Sequence, residues 1–371
     1  MKIAIVCDWL VTLGGAEKVL AEMFTCFPDA DLFAVVDFLP DDKRDFVLHK
    51  RAKTSFIQQL PFAKTSYRAY LPLMPLAIEQ LDLSAYDLIL SSSHAVAKGV
   101  ITGPNQTHIS YVHSPMRYAW DLQHQYLRET GLDRKWRGHI ARYLLHKLRL
   151  WDVSRAHGVD HFIANSNYIA RRIHKTYQRE ATVIYPPINV EQFTPGGKKE
   201  DFYLTASRFV PYKRIDLIVE SFSRMPDKRL LVIGDGPDYH KIKAKAGSNV
   251  SLLGHQSTIA LIDHMQRAKA FLFAAEEDFG IVPLEALACG TPVIAYGKGG
   301  ALETVRGLDQ DKPTGVFFYE QTVDALVDAM TLFENEEARF TKAHCVEQAA
   351  RFSPAKFREN FKRFILERTA Q

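Results

Sequence analysis

The sequence predicts an α/β protein of two doubly wound, parallel-sheet domains, and three observations carry that expectation. Short, nearly continuous apolar runs rich in β-branched residues recur along the chain, with helix-patterned segments between them. Runs of this kind suit strands buried on both faces of a parallel sheet. The scheme occurs twice, before and after the interruption YPPINVEQFTPGGKKEDF at residues 185–202. The length of 371 residues also exceeds one ordinary domain.

Taken in order, the first half offers KIAIVCD, ADLFAVV, DLILSSS, THISYVH and HFIANS as strands. MKIAIVCDWL has too short an apolar region for a signal peptide and reads as the first of these strands. The prolines and the Pro-Gly-Gly-Lys-Lys of residues 185–202 break any periodicity, which sets domains of 1–185 and 186–354. The second half offers FYLTASR, RLLVIG, VSLLG, AFLFAA and PVIAYG. In the tail, Ser353 and Pro354 start a helix of about 355–371. Phe357, Phe361, Phe364 and Ile365 fall on one face of it, and that face must dock on a core.

An apolar fraction of 47% with 24% charged residues belongs to a folded chain. A net charge of only +4 argues against a nucleic-acid partner. The best apolar run, AFLFAA, is far short of the ~20 residues of a membrane-spanning helix. Cys7, Cys26, Cys289 and Cys345 have no metal-ligand spacing and sit in apolar segments, which fits a reducing cytoplasm. The two Asp-x-Asp matches, Asp29 with Asp31 and Asp309 with Asp311, read as chance, so no metal is expected.

Charge is unevenly spread. Phe46–Ile78 holds Lys50, Arg51, Lys53, Lys64 and Arg68 and no acid. Arg128–His157 holds eight Lys or Arg against three acids. There Trp136, Ile140, Tyr143, Leu144, Leu148 and Trp151 fall at helical spacing among Arg134, Lys135, Arg137, Arg142, Lys147 and Arg149. Two readings stand side by side: a core-facing helix with a solvated basic face, and a helix lying on an anionic membrane. The second would place the protein peripherally on the inner face of the plasma membrane.

In open α/β sheets ligands bind beyond the carboxyl ends of the strands, so strand-end residues carry the chemistry. The first loop, CDWLVTLGGAEKVL, opens a helix at Gly14 and Gly15, where a ligand can approach the backbone closely. YVHSPMRYAWD puts His113 and Arg117 at a strand tip, and TASRFVPYKRID puts Arg208 and Lys213 at a strand-to-helix turn. Two cations there can neutralise an anionic leaving group. In EEDFGIVPLEALACGTPVIAYG, Glu277 precedes a helix and Glu285 lies about two turns into it. The unpaired N–H groups at that helix start suit a diphosphate. Neither GGAE nor IGDGPDY is GxGxxG, so a nicotinamide-binding oxidoreductase is weakly supported.

Glu-x7-Glu in EDFGIVPLE with its ALACGTPVIA continuation, Arg-x4-Lys in RFVPYK, the early Gly-Gly-Ala-Glu and the His113 strand end together resemble family 4 glycosyltransferases. YVHSPMRYAWD and SSSHAVAKG look like the bacterial mannosyltransferases of that family that build surface polysaccharides. The resemblance implies the GT-B fold, with two Rossmann-like domains facing a cleft. It implies an acceptor-binding first domain, a donor-binding second domain and a final helix crossing back onto the first.

It also implies roles for residues. Glu285 would hold ribose hydroxyls of a nucleotide sugar, and Glu277 with the backbone of Phe279, Gly280, Ile281 and Val282 would hold its sugar and diphosphate. Arg208 and Lys213 would balance charge on the departing nucleoside diphosphate, Gly14 and Gly15 would offer backbone to the phosphates, and His113 would touch the transferred sugar. Glu277, His113, Arg208 and Lys213 are the catalytic set on this reading, with retention of anomeric configuration and no cofactor or metal. The expected reaction moves mannose from GDP-mannose to a lipid-linked or polysaccharide acceptor. A UDP-sugar transferase, a sugar-nucleotide epimerase or phosphorylase, and a non-catalytic nucleotide-sugar binder remain alternatives.

Overall fold

The computed structural model describes residues 1–133 and 136–369. The chain divides into two compact units, Met1–Pro187 with Ala355–Gln371, and Ile188–Pro354. Each is a parallel sheet covered by helices on both faces.

The first unit's strands are β1 (Ile3–Cys7), β2 (Asp31–Ala34), β3 (Lys53–Thr54), β4 (Leu88–Ser93), β5 (Thr107–Val112), β6 (His161–Ala164) and β7 (Ala181–Val183). They lie in the order β3-β2-β1-β4-β5-β6-β7, every pair parallel. Successive side chains of β1 alternate between two cores, as the twofold repeat of a strand requires. Ile5 and Cys7 join one with Leu20, Phe24 and Tyr111, while Ala4 and Val6 join another with Phe33, Ile57 and Ile78. The helix Pro354–Thr369 lays Phe357, Phe361, Phe364 and Ile365 into the first of these cores. Its Arg358 bonds Glu22 at 2.7 Å.

The second unit contains β8 (Tyr203–Ala206), β9 (Leu230–Ile233), β10 (Val250–Gly254), β11 (Ala270–Phe273), β12 (Val293–Tyr296) and β13 (Gly315–Phe318). Their order is β10-β9-β8-β11-β12-β13, again all parallel. In both sheets the winding reverses beside the unit's first strand, between β1 and β4 and between β8 and β11. A reversal of this kind leaves a crevice at the carboxyl ends of the two strands.

Three strands escape the sequence reading, β3, β7 and β13, and all three are sheet edges. An edge strand has one neighbour and can be short. β3 and β7 are partly exposed and form no apolar run, whereas GVFF of β13 is a buried run that turn residues obscure. The basic helix Trp136–Ala156 divides between its two readings. Leu148 is buried, and Leu145 and Trp151 pack on the unit's core, whereas Trp136, Ile140 and Tyr143 are exposed. Arg134 and Lys135 lie outside the described residues. All four cysteines are free and buried, and no described helix is long and apolar enough to cross a membrane.

Candidate active site

In the second unit the residues expected to bind donor gather at the sheet's reversal. Beyond β8 the chain passes through Arg208 and a short turn, Pro211–Lys213, before Arg214 adopts left-handed backbone (φ 53°) and the helix Ile215–Ser223 begins. Beyond β11 it passes through Glu277 to Gly280, whose φ of 86° swings the chain into the helix Ile281–Ala288. Because β8 and β11 are neighbours, the two loops meet. The Lys213 ammonium pairs with Glu277 Oε1, and each side chain is only 16% exposed. Arg208, by contrast, is exposed.

The N-cap of the helix Ile281–Ala288 is Gly280, which has no side chain, and the N–H groups of Ile281 and Val282 belong to the positive end of the helix, where an anion is favoured. Phe279 is buried behind it. Glu285 is buried as well, at 6% exposure. It sits about one turn into the helix rather than two, because the turn through Gly280 runs on to the eve of Ile281.

Glycines that the sequence reading left aside shape this pocket. Gly300 N–H donates to Glu277 O at 2.8 Å, and a Cβ on Gly300 would stand 2.3 Å from Phe279 Cα. A Cβ on Gly234 would stand 1.8 Å from Ser207 O, so IGDGPDY serves to let β9 lie against the Arg208 loop. The available signal was position: Gly234 directly follows β9, and Gly300 lies in the loop after β12.

The remaining candidates belong to the first unit. Gly14, in extended backbone, and Gly15 start the helix Gly15–Cys26 after β1. His113 follows β5, and its Nε2 lies 2.8 Å from Ser92 Oγ. Burial, with His94 nearby, pushes the His113 ring down to about 3, so it is neutral at ordinary pH.

Two residues given no role from sequence, Asp8 and His94, stand at the reversal itself, after β1 and β4. The buried Asp8 carboxylate accepts backbone N–H bonds from His94 (2.7 Å), Ala95 (3.1 Å), Val96 (2.6 Å) and Ala97 (2.7 Å). His94 Nδ1 lies 3.0 Å from Asp8 Oδ2. Burial opposes the charge on Asp8, but His94 and these N–H groups outweigh it and draw the carboxyl down to about 2. The strand-end rule would have flagged both residues.

Comparison with known proteins agrees with this layout. Residues 13–192 match the family model described as Glycosyltransferase Family 4, and residues 189–353 match that of Glycosyl transferases group 1. An uncharacterized glycosyltransferase of Methanocaldococcus jannaschii is 30% identical over 188 residues, 49% of this chain and 52% of that protein. A GDP-mannose-dependent monoacylated alpha-(1-6)-phosphatidylinositol monomannoside mannosyltransferase of Corynebacterium glutamicum is 32% identical over 171 residues, 38% of this chain and 45% of that protein. The chain thus spans about half the length of the curated relatives it matches. The Anabaena protein HepE, solved in complex with UDP, superimposes with a TM-score of 0.69 at 17% identity, covering 99% of this chain and 100% of its own. With both halves matched by adjoining family models and the two-sheet architecture shared, the chain belongs to the family 4 glycosyltransferases and has their GT-B fold.

Proposed function

We propose that the protein is a retaining glycosyltransferase that takes a nucleotide sugar on its second unit and passes the sugar to a lipid-linked or polysaccharide acceptor. The observation that carries this reading is the Lys213–Glu277 pair at the sheet reversal, in the loop that also holds Arg208 and next to a helix start whose N-cap is a glycine. A diphosphate needs cations and the positive end of a helix; a sugar needs a fixed carboxylate. This corner offers both. Glu285 supplies a buried carboxylate one turn on, suited to ribose hydroxyls. Arg208 and Lys213 stabilise charge that grows on the leaving nucleoside diphosphate as the glycosidic bond breaks.

We take GDP-mannose as the donor, on the strength of the corynebacterial relative's stated dependence. The UDP in the HepE structure favours a UDP-sugar as the second reading. The exposed aromatic end of the helix Trp136–Ala156, with its cations, supports an anionic membrane as the place where acceptor is met.

The test is a thermal-shift panel of GDP, UDP and ADP, followed by incubation with the matching nucleotide sugars and a lipid-linked acceptor. A ligand that binds only the native state raises its melting point in proportion to affinity. Stabilisation by GDP and formation of a mannoside is the expected result. A preference for UDP transfers the reading to UDP-sugars, and an isomerised donor with no new glycoside overturns it in favour of an epimerase.

A further inference from the structure

The two loops that bring Lys213 and Glu277 together are tied by a third segment. Gln321 lies in the short link between β13 and the helix Val323–Asn335. Its Nε2 donates to the carbonyl of Ala274, the first residue beyond β11, at 2.7 Å. On its other side, Arg214 Nη1 donates to Gln321 Oε1 at 3.1 Å, and Nη2 reaches the Gln321 carbonyl at 3.5 Å. Arg214 is the residue after Lys213, and Ala274 opens the loop that leads to Glu277. One side chain thus joins the turn that carries the ammonium to the loop that carries the carboxylate.

The chemistry of this link is selective. A guanidinium can only donate and a carbonyl can only accept, so the group between them must do both, and a carboxamide does. A carboxylate of the same shape would hold the arginine and repel the carbonyl. Ala274 is buried, so its carbonyl depends on a partner within the protein. The base of the link is firm. Thr322 caps the helix Val323–Asn335, accepting from Ala325 N–H at 3.3 Å, and Leu326, Met330 and Phe333 of that helix share a core with Ile218 and Phe222.

Arg214 supplies a second observation. Its backbone is left-handed, with φ 53° and ψ 33°, a conformation that strains a residue with a Cβ and that glycine adopts freely. An outlier of this kind beside a functional turn points to a role. What arginine has there and glycine lacks is the guanidinium on Gln321. Its Nε lies 3.7 Å from Asp216 Oδ1, and Asp216 in turn accepts from Lys241 at 2.8 Å, so the guanidinium is also steadied from the helix Ile215–Ser223.

We propose that Gln321 and Arg214 are positioning residues, which fix the Lys213 turn against the Glu277 loop for glycosyl transfer. The inference rests on the reading of that corner as the donor site. Both residues act through Lys213, whose charge must meet the leaving diphosphate. Misplacing such a group by ~1 Å can cost ~100-fold in rate.

The experiment compares Arg214→Gly, Gln321→Glu, Gln321→Ala and the double variant Arg214→Gly with Gln321→Ala, all in the full chain. Turnover is read as nucleoside diphosphate released from GDP-mannose and from UDP-glucose in the presence of a lipid-linked acceptor. In parallel the protein is labelled with 13C at lysine Cε, and the Lys213 resonance is identified by its loss in Lys213→Arg. Each single variant should lower kcat about tenfold or more and shift the Lys213 resonance. Arg214→Gly should do so with an unchanged or raised Tm, since glycine relieves the left-handed backbone; a structural role alone would lower Tm and leave kcat in place. Gln321→Glu should be impaired although it keeps the shape of the side chain and gains an ion pair with Arg214. The double variant should lose no more than Gln321→Ala, because residues that act as one link are not additive. Native-like kcat in Arg214→Gly and Gln321→Glu, or losses that multiply in the double variant, would overturn the proposal. A shifted Lys213 resonance in a protein that turns over no nucleotide sugar would retire the transfer reading alone. Turnover by the native protein, with an unmoved Lys213 resonance in the variants, would retire the link alone.

Discussion

Lys213 and Glu277 form an ion pair across the carboxyl ends of the neighbouring strands β8 and β11, with both side chains largely buried. The pair fixes an ammonium and a carboxylate at the one point of the sheet where the winding reverses. Arg208→Ala and Lys213→Ala should each lower kcat ~100-fold or more, the usual cost of losing a transition-state donor. They should differ in stability. Lys213→Ala strips Glu277 of its cation and lowers Tm, while the exposed Arg208 can be lost without a change in Tm. Near-native turnover in both variants would contradict the assignment.

Glu285 is buried in the helix Ile281–Ala288 and assigned to a group that is held alike before and during reaction. Glu285→Gln should therefore raise the donor KM and leave kcat almost unchanged. A steady-state donor titration decides this, and an unaltered KM would count against a ribose contact.

His108 is fully buried, with Nε2 2.9 Å from Ser91 Oγ, and burial pushes its pKa down to about 4. Its ordinary value is ~6.5, so between these limits the unfolded chain binds a proton that the native chain refuses. Stability is then complete above pH 7 and falls as pH drops, by about 2 kcal/mol at pH 5 from His108. His113, held near 3, adds to the same loss. Asp8, drawn to about 2, contributes stability above its ordinary carboxyl range that is lost only in stronger acid. Thermal melts from pH 7 to 5 should show a falling Tm, with a shallower fall in His108→Gln. A flat profile would show that the rings are protonated in the native state.

Asp152 is completely buried and accepts from the Lys98 ammonium, from Trp120 Nε1 at 2.8 Å and from Tyr177 Oη at 2.9 Å. Asp152→Ala leaves Lys98 charged in an apolar setting, at a cost of ~3–5 kcal/mol. At ~2–4 °C per kcal/mol the first unit should melt about 10 °C lower. Lys98→Met combined with Asp152→Leu should recover most of that loss, since the uncompensated charge is gone. If the double variant melts below the single one, the network contributes more than its desolvation costs.

The helix Trp136–Ala156 exposes Trp136, Ile140 and Tyr143, with Arg137 and Lys147 placed over the Trp136 and Tyr143 rings. Each nearby cation is worth about 1 kcal/mol at an anionic surface. The protein should sediment with phosphatidylglycerol vesicles at low salt and not with phosphatidylcholine vesicles. Trp136→Ser with Tyr143→Ser should weaken that binding without lowering Tm, because neither side chain supports the core. Equal, poor binding to both vesicles would leave a water-soluble acceptor as the better reading.

The sequence by itself determined every strand that has two neighbours, because a strand buried on both faces must be apolar throughout and so announces itself. It placed Arg208, Lys213 and Glu277 in the turns after strand ends, because those turn residues are visible, while it was the resemblance to a family that singled them out, with Glu285, as a donor-site set. The edge strands β3 and β7 were hidden, since one neighbour asks little of a short segment, and β13 was hidden by the turn residues around its buried run, while the edge strand β10 was legible as VSLLG. The tertiary structure alone decided which strand ends adjoin. Sheet order put β8 against β11, so that Lys213 meets Glu277, and β1 against β4, so that Asp8 meets His94. It also decided which part of the basic helix is core, because an amphipathic stripe specifies a face and only packing says how far along the helix that face is covered. Glycines 234 and 300 make the same point at atomic scale: what a missing Cβ permits depends on the backbone that comes to lie against it.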